Sequence, residues 1–153
     1  MMDRDRPLFL VVEDNIGDEE ITLRALRKEV PAARIAVARD GAEAIGCVGG
    51  QLVVDGKETD EQPDVVLLDL TLPRFSGLEV LREFRGCDAT RCTPVVLFSS
   101  SDEELDVNAC YEAGANSYVK KPVDYDEYMR VVRNVADYWL RVVKLPNCAP
   151  SGT

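Results

Sequence analysis

Five short runs of branched apolar residues, separated by longer amphipathic stretches, constrain this 153-residue chain more than any other feature. Leu8–Val12, Arg34–Ala38, Val65–Leu70, Val95–Phe98 and Ser117–Val119 read as strands. Three of them lack period-2 alternation, which suits strands covered on both faces. The segments between them carry helical spacing. In the first, Ile21, Leu23, Ala25 and Leu26 fall among Glu and Arg, and Pro31 stops the helix after Val30. In the third, Leu78, Val80, Leu81 and Phe84 form an apolar face behind the capping-box pattern Ser76-x-x-Glu79. In the fourth, Leu105, Ala109, Tyr111 and Ala113 precede Gly114, a C-terminal stop. The order is (βα)5. Such alternation predicts an α/β fold, a doubly wound five-stranded parallel sheet with helices on both faces.

At about 100–200 residues per domain, the length fits one domain. Residues 1–145 are expected to form it, and the Pro/Gly/Ser-containing stretch 146–153 to be a flexible tail. Two segments depart from even spacing. The insertion GQLVVDGKETDEQ at 50–62 is polar, turn-rich and longer than the usual α-to-β connection of about 2–6 residues. The final helix is predicted to extend from about Asp124 to Lys144, with Tyr128, Val132, Val135, Trp139 and Val142 as its core stripe. Val131, Tyr138, Leu140, Val143 and Leu145 fall largely outside that stripe, and this surplus of apolar surface predicts a partner.

Composition removes several functions. Eighteen basic against 28 acidic residues give a formal charge of −10, which argues against nucleic acid or an anionic membrane as partner. With no histidine, Ser-His-Asp and Cys-His catalysis and histidine-bearing zinc sites are excluded. Nor can the chain carry a phosphohistidine of its own. Its five cysteines lack C-x-x-C pairing and fit free thiols in a reducing compartment. The apolar run at Leu8–Val12 is too short for a signal peptide, and no stretch approaches the ~20 residues of a membrane span. A cytoplasmic protein is expected.

Open parallel sheets bind ligands at the carboxyl ends of their strands. There the first strand is followed by Glu13 and Asp14, and the third ends in Asp69. The fourth is followed by Ser99, Ser100 and Ser101, the fifth by Lys120-Lys121-Pro122. Crowded carboxylates repel unless a cation neutralises them. An incomplete set of oxygen ligands suits Mg²⁺, which retains waters and takes carboxylate and phosphate oxygens together. The edge reads as a site for handling a phosphoryl group. Plainer readings exist for its parts: Glu13 and Asp14 as helix N-terminal charges, Lys121 as a surface cation, Tyr118 as a strand aromatic. Asp69 resists one, because a carboxylate closing an apolar run costs stability unless paired.

The stretches VVEDN, VVLLDLTLPRFSGLEVL, PVVLFSSSD and GANSYVKKPVD resemble the receiver domains of two-component response regulators, from about Pro7 to Val143. Ser99 and Lys121 follow Asp69 by thirty and fifty-two residues, the family's usual spacing. The resemblance implies a flavodoxin-like receiver fold in which Asp69 accepts a phosphoryl group from a partner histidine kinase. It further implies Mg²⁺ (or Mn²⁺) on Glu13, Asp14, Asp69 and the backbone carbonyl of Thr71. Lys121, Ser99 and Ser100 would bind phosphoryl oxygens. Ser99 and Tyr118 would form a switch that alters the surface of the fourth helix, fifth strand and fifth helix. A cis Lys121–Pro122 bond would aim the lysine inward. Glu13 and Ser99 stand where Asp and Thr are commoner in the family.

The insertion and the ending YWLRVVKLP resemble, more narrowly, the stand-alone regulators that accompany bacterial phytochrome histidine kinases. That likeness implies such a kinase as donor and a homodimer through Tyr138, Trp139, Leu140, Val143 and Leu145. With ten residues after Val143, no fused output domain is expected, and signalling would pass through protein–protein contact. Self-dephosphorylation would be the only catalysis. Competing readings are a haloacid-dehalogenase-like phosphohydrolase, disfavoured because Thr71 occupies the second acid of D-x-D, and a flavin module, whose phosphate loop Glu13 and Asp14 would repel. A degenerate receiver serving as passive scaffold is disfavoured by the filled key positions.

Overall fold

The computed structural model describes residues 6–147. The elements run β1 (Leu8–Val12), α1 (Ile16–Glu29), β2 (Arg34–Ala38), α2 (Gly41–Val48), β3 (Leu52–Val54), β4 (Lys57–Thr59) and β5 (Val65–Leu68). They continue with α3 (Gly77–Gly86), β6 (Val95–Ser99), α4 (Glu104–Glu112), β7 (Ser117–Lys120) and α5 (Tyr125–Asp137). A π-helical turn, Tyr138–Val142, extends the last helix. Five strands pair in parallel in the order β2-β1-β5-β6-β7, the doubly wound sheet expected. Most of the proposed tail lies outside the described residues.

Although the central strands are apolar throughout, their side chains still alternate. Leu8, Leu10 and Val12 face a core with Val66, Leu68, Ala44, Val80, Leu81 and Phe84, under α2, α3 and α4. Phe9 and Val11 face the opposite core with Val65, Leu67, Ala25, Leu26, Tyr128 and Val132, under α1 and α5. Two buried faces explain why the runs are continuous rather than striped. Each fully buried Leu or Phe contributes about 1.5–3 kcal/mol.

Short polar side chains start most helices. Asn15 accepts from Asp18 N, Asp40 from Glu43 N, Ser76 from Glu79 N and Asp124 from Glu127 N, satisfying donors that the first turn leaves free. Pro31 ends α1 as expected by pushing Val30 out of the helical region, to φ −132° and ψ 81°.

The 50–62 insertion has structure of its own, and two expectations are corrected. Within the insertion β3 and β4 form an antiparallel hairpin, with Leu52 and Val54 buried in the first core. Its turn residues Asp55 and Gly56 both have positive φ, 52° and 77°, as a two-residue type I′ turn demands. The last helix is not regular to Lys144, because α5 gives way to the π turn at Tyr138. The Lys121–Pro122 bond is trans, there being no cis peptide among the described residues. The trans form is favoured by about 0.5–1 kcal/mol, and the lysine needs no other device to face inward. Strand alternation sends Lys120 out to Asp102 and Lys121 in, while Lys121 N donates to Ser99 O at 2.7 Å.

The C-terminal apolar surplus is also smaller than the sequence suggests. Val131, Leu140 and Leu145 pack partly buried against the second core, with Trp139, and Val143 is half-buried. Tyr138 and Val142 remain 48% and 65% exposed.

Candidate phosphoryl-acceptor site

Strand order reverses between β1 and β5, and the acidic residues collect at the carboxyl ends of this pair. Asp69 directly follows β5, its N–H donating to Val12 O at 3.0 Å and the residue only 7% exposed. Glu13 follows β1 and is likewise buried; Asp14, one residue on, faces solvent. One carboxylate oxygen from each of the three lies within 4.8 Å of the others. The loop after β5 is locked by backbone contact. Gly77 N donates to Leu70 O, and a Cβ at Gly77 would lie 2.2 Å from Asp69 O.

Lys121 completes the site from just beyond the end of β7. Its ammonium donates to Glu13 Oε1 at 2.6 Å, Asp69 Oδ2 at 2.7 Å and Asp18 Oδ2 at 3.0 Å, and the residue is 8% exposed. Asp69 Oδ1 accepts from Thr71 N at 3.0 Å, and Glu13 Oε2 from Asn15 N at 3.3 Å. Burial foremost, then the Asp69 carboxyl beside it, pushes Glu13 up to about 8, only partly opposed by Lys121. Burial alone would lower the Lys121 pKa; its bonds to Asp69 and Glu13 outweigh that and raise it, so the ammonium keeps its charge.

The remaining expected residues lie on neighbouring strands. Ser99 ends β6 at 1% exposure, its hydroxyl accepting from Ser101 N at 3.2 Å; Ser100 is exposed. Tyr118, on β7, donates from its hydroxyl to Ser101 O at 2.8 Å. Asp18 is the residue that sequence reasoning missed. Its one signal was an acid four positions after Asp14, ordinary for a helix first turn.

The donor set is all oxygen, partly anionic and incomplete, and thus fits a hard divalent cation that retains waters. A lysine already bridging two of the acids shows that the pocket requires positive charge.

A doubly wound sheet with three acids and a lysine at its switch point defines the receiver class of α/β domains. The chain belongs to the response regulator receiver domain family, which it matches over residues 9–133. Members of this family are signalling proteins. Response regulator Rcp1 of Synechocystis sp. is 31% identical over 148 residues, 95% of this chain and 99% of that one. The structure of its Mn²⁺-bound form superposes with a TM-score of 0.82 at 30% identity, covering 92% of this chain and 99% of that chain. The phosphorylated cyanobacterial phytochrome response regulator RcpA matches at 31% identity and a TM-score of 0.83, over 93% and 99% of the two chains. The bacteriophytochrome response regulator AtBRR is 39% identical, with a TM-score of 0.68 over 94% and 99%.

Proposed function

We propose that this protein is a stand-alone phosphoacceptor regulator of the cytoplasm. Asp69 takes a phosphoryl group from a histidine of a partner sensor kinase, and the altered surface signals by protein–protein contact. What carries the reading is the Lys121 ammonium held by both Asp69 and Glu13, with Asp14 within reach, at the sheet's switch point. Glu13, Asp14, Asp69 and the Thr71 carbonyl would hold Mg²⁺ or Mn²⁺, in keeping with the Mn²⁺-bound form of Rcp1. Bound there, the cation would neutralise charge on the acids and on the transferring phosphoryl oxygens.

The chain's own groups supply the rest. An Asp69 carboxylate oxygen forms the new O–P bond while the donor's bond to phosphorus breaks and its electron pair leaves with the donor. Thr71 N–H orients the carboxylate through Oδ1. Lys121 follows the reacting oxygen and meets the negative charge of the phosphoryl group, electrostatic assistance already in place before reaction. Ser99, with exposed Ser100 beside it, offers a hydroxyl to another phosphoryl oxygen. Movement of Ser99 draws on Ser101, and through the Ser101 carbonyl on Tyr118, which carries the change to the α4–β7–α5 face.

Relatives described as phytochrome response regulators support a phytochrome-type histidine kinase as the donor. Exposed Tyr138 and Val142, with Trp139 partly covered behind them, support a homodimer through the C-terminal turn. Leu140, Val143 and Leu145 would contribute only their remaining exposed edges.

Incubation with Mg²⁺ and acetyl phosphate is expected to add one base-labile phosphoryl group, read by intact mass. Its persistence in Asp69→Asn overturns the assignment.

A further inference from the structure

An ammonium has three N–H donors and no acceptor, and Lys121 uses all three on carboxylates. Two of those acids, Glu13 and Asp69, contribute to the oxygen cluster suited to a cation; Asp18 is not part of that cluster. The same two acids must therefore serve both the lysine and whatever enters the pocket. Asp18 has no such conflict.

Its position favours that single task. Asn15 caps α1 by accepting from Asp18 N at 2.9 Å, which fixes the Asp18 backbone. An acid at this third helical position often reaches back to the N–H of the cap residue. Here that N–H donates to Glu13 Oε2 instead, and the Asp18 carboxylate turns to Lys121. Its side chain is 32% exposed against 5% for Glu13, so it meets the buried ammonium from the mouth of the pocket, opposite the bonds to Glu13 and Asp69 that hold it at the floor.

We propose that Asp18 is a positioning residue for Lys121, giving the ammonium one carboxylate partner that it keeps while Asp69 Oδ2 passes from the lysine to phosphorus and the lysine meets the incoming phosphoryl group. This rests on the phosphoacceptor reading above. Without Asp18 the ammonium is shared between Glu13 and Asp69 alone, and Asp69 Oδ2 carries a tighter hydrogen bond that must be broken as the O–P bond forms.

The test is a double-mutant cycle on single-turnover phosphorylation by acetyl phosphate with saturating Mg²⁺. Asp18→Asn is expected to slow phosphorylation about 5–10-fold where Lys121 is present, and less than twofold in a Lys121→Met background. Asp18→Glu, which keeps a carboxylate on the first turn, is expected to restore the rate to within about twofold of wild type. Lys121→Gln replaces the Met background should that variant not fold. An independent readout needs neither metal nor phosphate: the slowly exchanging ¹⁵Nζ ammonium signal of Lys121 should weaken in metal-free Asp18→Asn and return in Asp18→Glu. Equal slowing in both lysine backgrounds would mark Asp18 as a general field effect and overturn the proposal, as would an unchanged rate in Asp18→Asn. Failure of the wild-type protein to become phosphorylated would instead overturn the function itself, and the ammonium signal would still report on the contact.

Discussion

Tyr118 is pinned at two points. Its hydroxyl donates to Ser101 O at 2.8 Å, and its backbone N–H donates to the Tyr111 hydroxyl at 3.1 Å. The edge strand β7 is thereby tied to α4 and to the loop in which Ser101 N contacts the Ser99 hydroxyl. Tyr118→Phe keeps the ring and removes one bond, at an expected cost of about 0.5–1.5 kcal/mol in urea unfolding. Hydrogen exchange should quicken in the loop around residues 99–103, while Asp69 still accepts phosphate. Unchanged exchange would mean that this hydroxyl does not hold the loop.

The second prediction concerns pH. Glu13 is raised from its ordinary value to about 8 by burial and by neighbouring Asp69, so the folded protein favours its protonated form. Its contribution to stability is full below the ordinary carboxylate range and is lost as pH rises through about 8. A cation needs the ionised carboxylate and displaces that proton. Added Mg²⁺ should therefore raise the melting temperature more at pH 8.5 than at pH 6, measured by thermal unfolding. An equal rise at both pH values would exclude Glu13 as the group that exchanges its proton for metal.

Gly77 is a third point of leverage. An added Cβ would lie 2.2 Å from Asp69 O and 2.7 Å from Leu70 Cα, both backbone atoms that cannot swing aside. Gly77→Ala is expected to cost at least about 1–3 kcal/mol and to slow phosphorylation by shifting Asp69. Gly86→Ala, where nothing lies within 4 Å of the added atom, is the control and should leave phosphorylation unchanged.

At the opposite edge of the sheet, Arg85 donates to Gly114 O at 2.9 Å, Thr93 O at 2.8 Å and Asn116 Oδ1 at 2.8 Å. It joins α3 to the starts of β6 and β7. Arg85→Met should lower unfolding stability by about 2–3 kcal/mol, since charged donors are lost and their acceptors left underused. Far from Asp69, the change should leave the phosphorylation rate per folded molecule intact.

Those residues also mark what could be read from the sequence. The five parallel strands were legible because strands buried on both faces leave uninterrupted branched runs, as in Leu8–Val12 and Val65–Leu68. The acids and the lysine were legible as a set because strand ends converge at one edge. Gly77 owes its place to close backbone approach to Asp69, which no local pattern encodes. The hairpin was overlooked despite Asp55-Gly56, a strong turn signal, because two three-residue strands offer almost no periodicity beside so many charges. Asp18 escaped notice because its importance depends on Lys121, 103 residues away. Leu140 and Leu145 looked surplus on a regular helix; the π turn changes the faces they occupy.

The hairpin has one consequence beyond filling space beside α2. β2 ends the sheet on one side, and an unpaired strand edge is a template for unwanted pairing between molecules. β3 and β4 form their own small sheet close to that edge, with Val53 turned outward and Leu52 and Val54 inward. They cannot extend the ladder, but they crowd the approach to it with Lys57, Glu58 and their neighbours. The insertion thus guards an open strand edge against strand-by-strand association of one molecule with the next, from a part of the fold that takes no part in the acidic site.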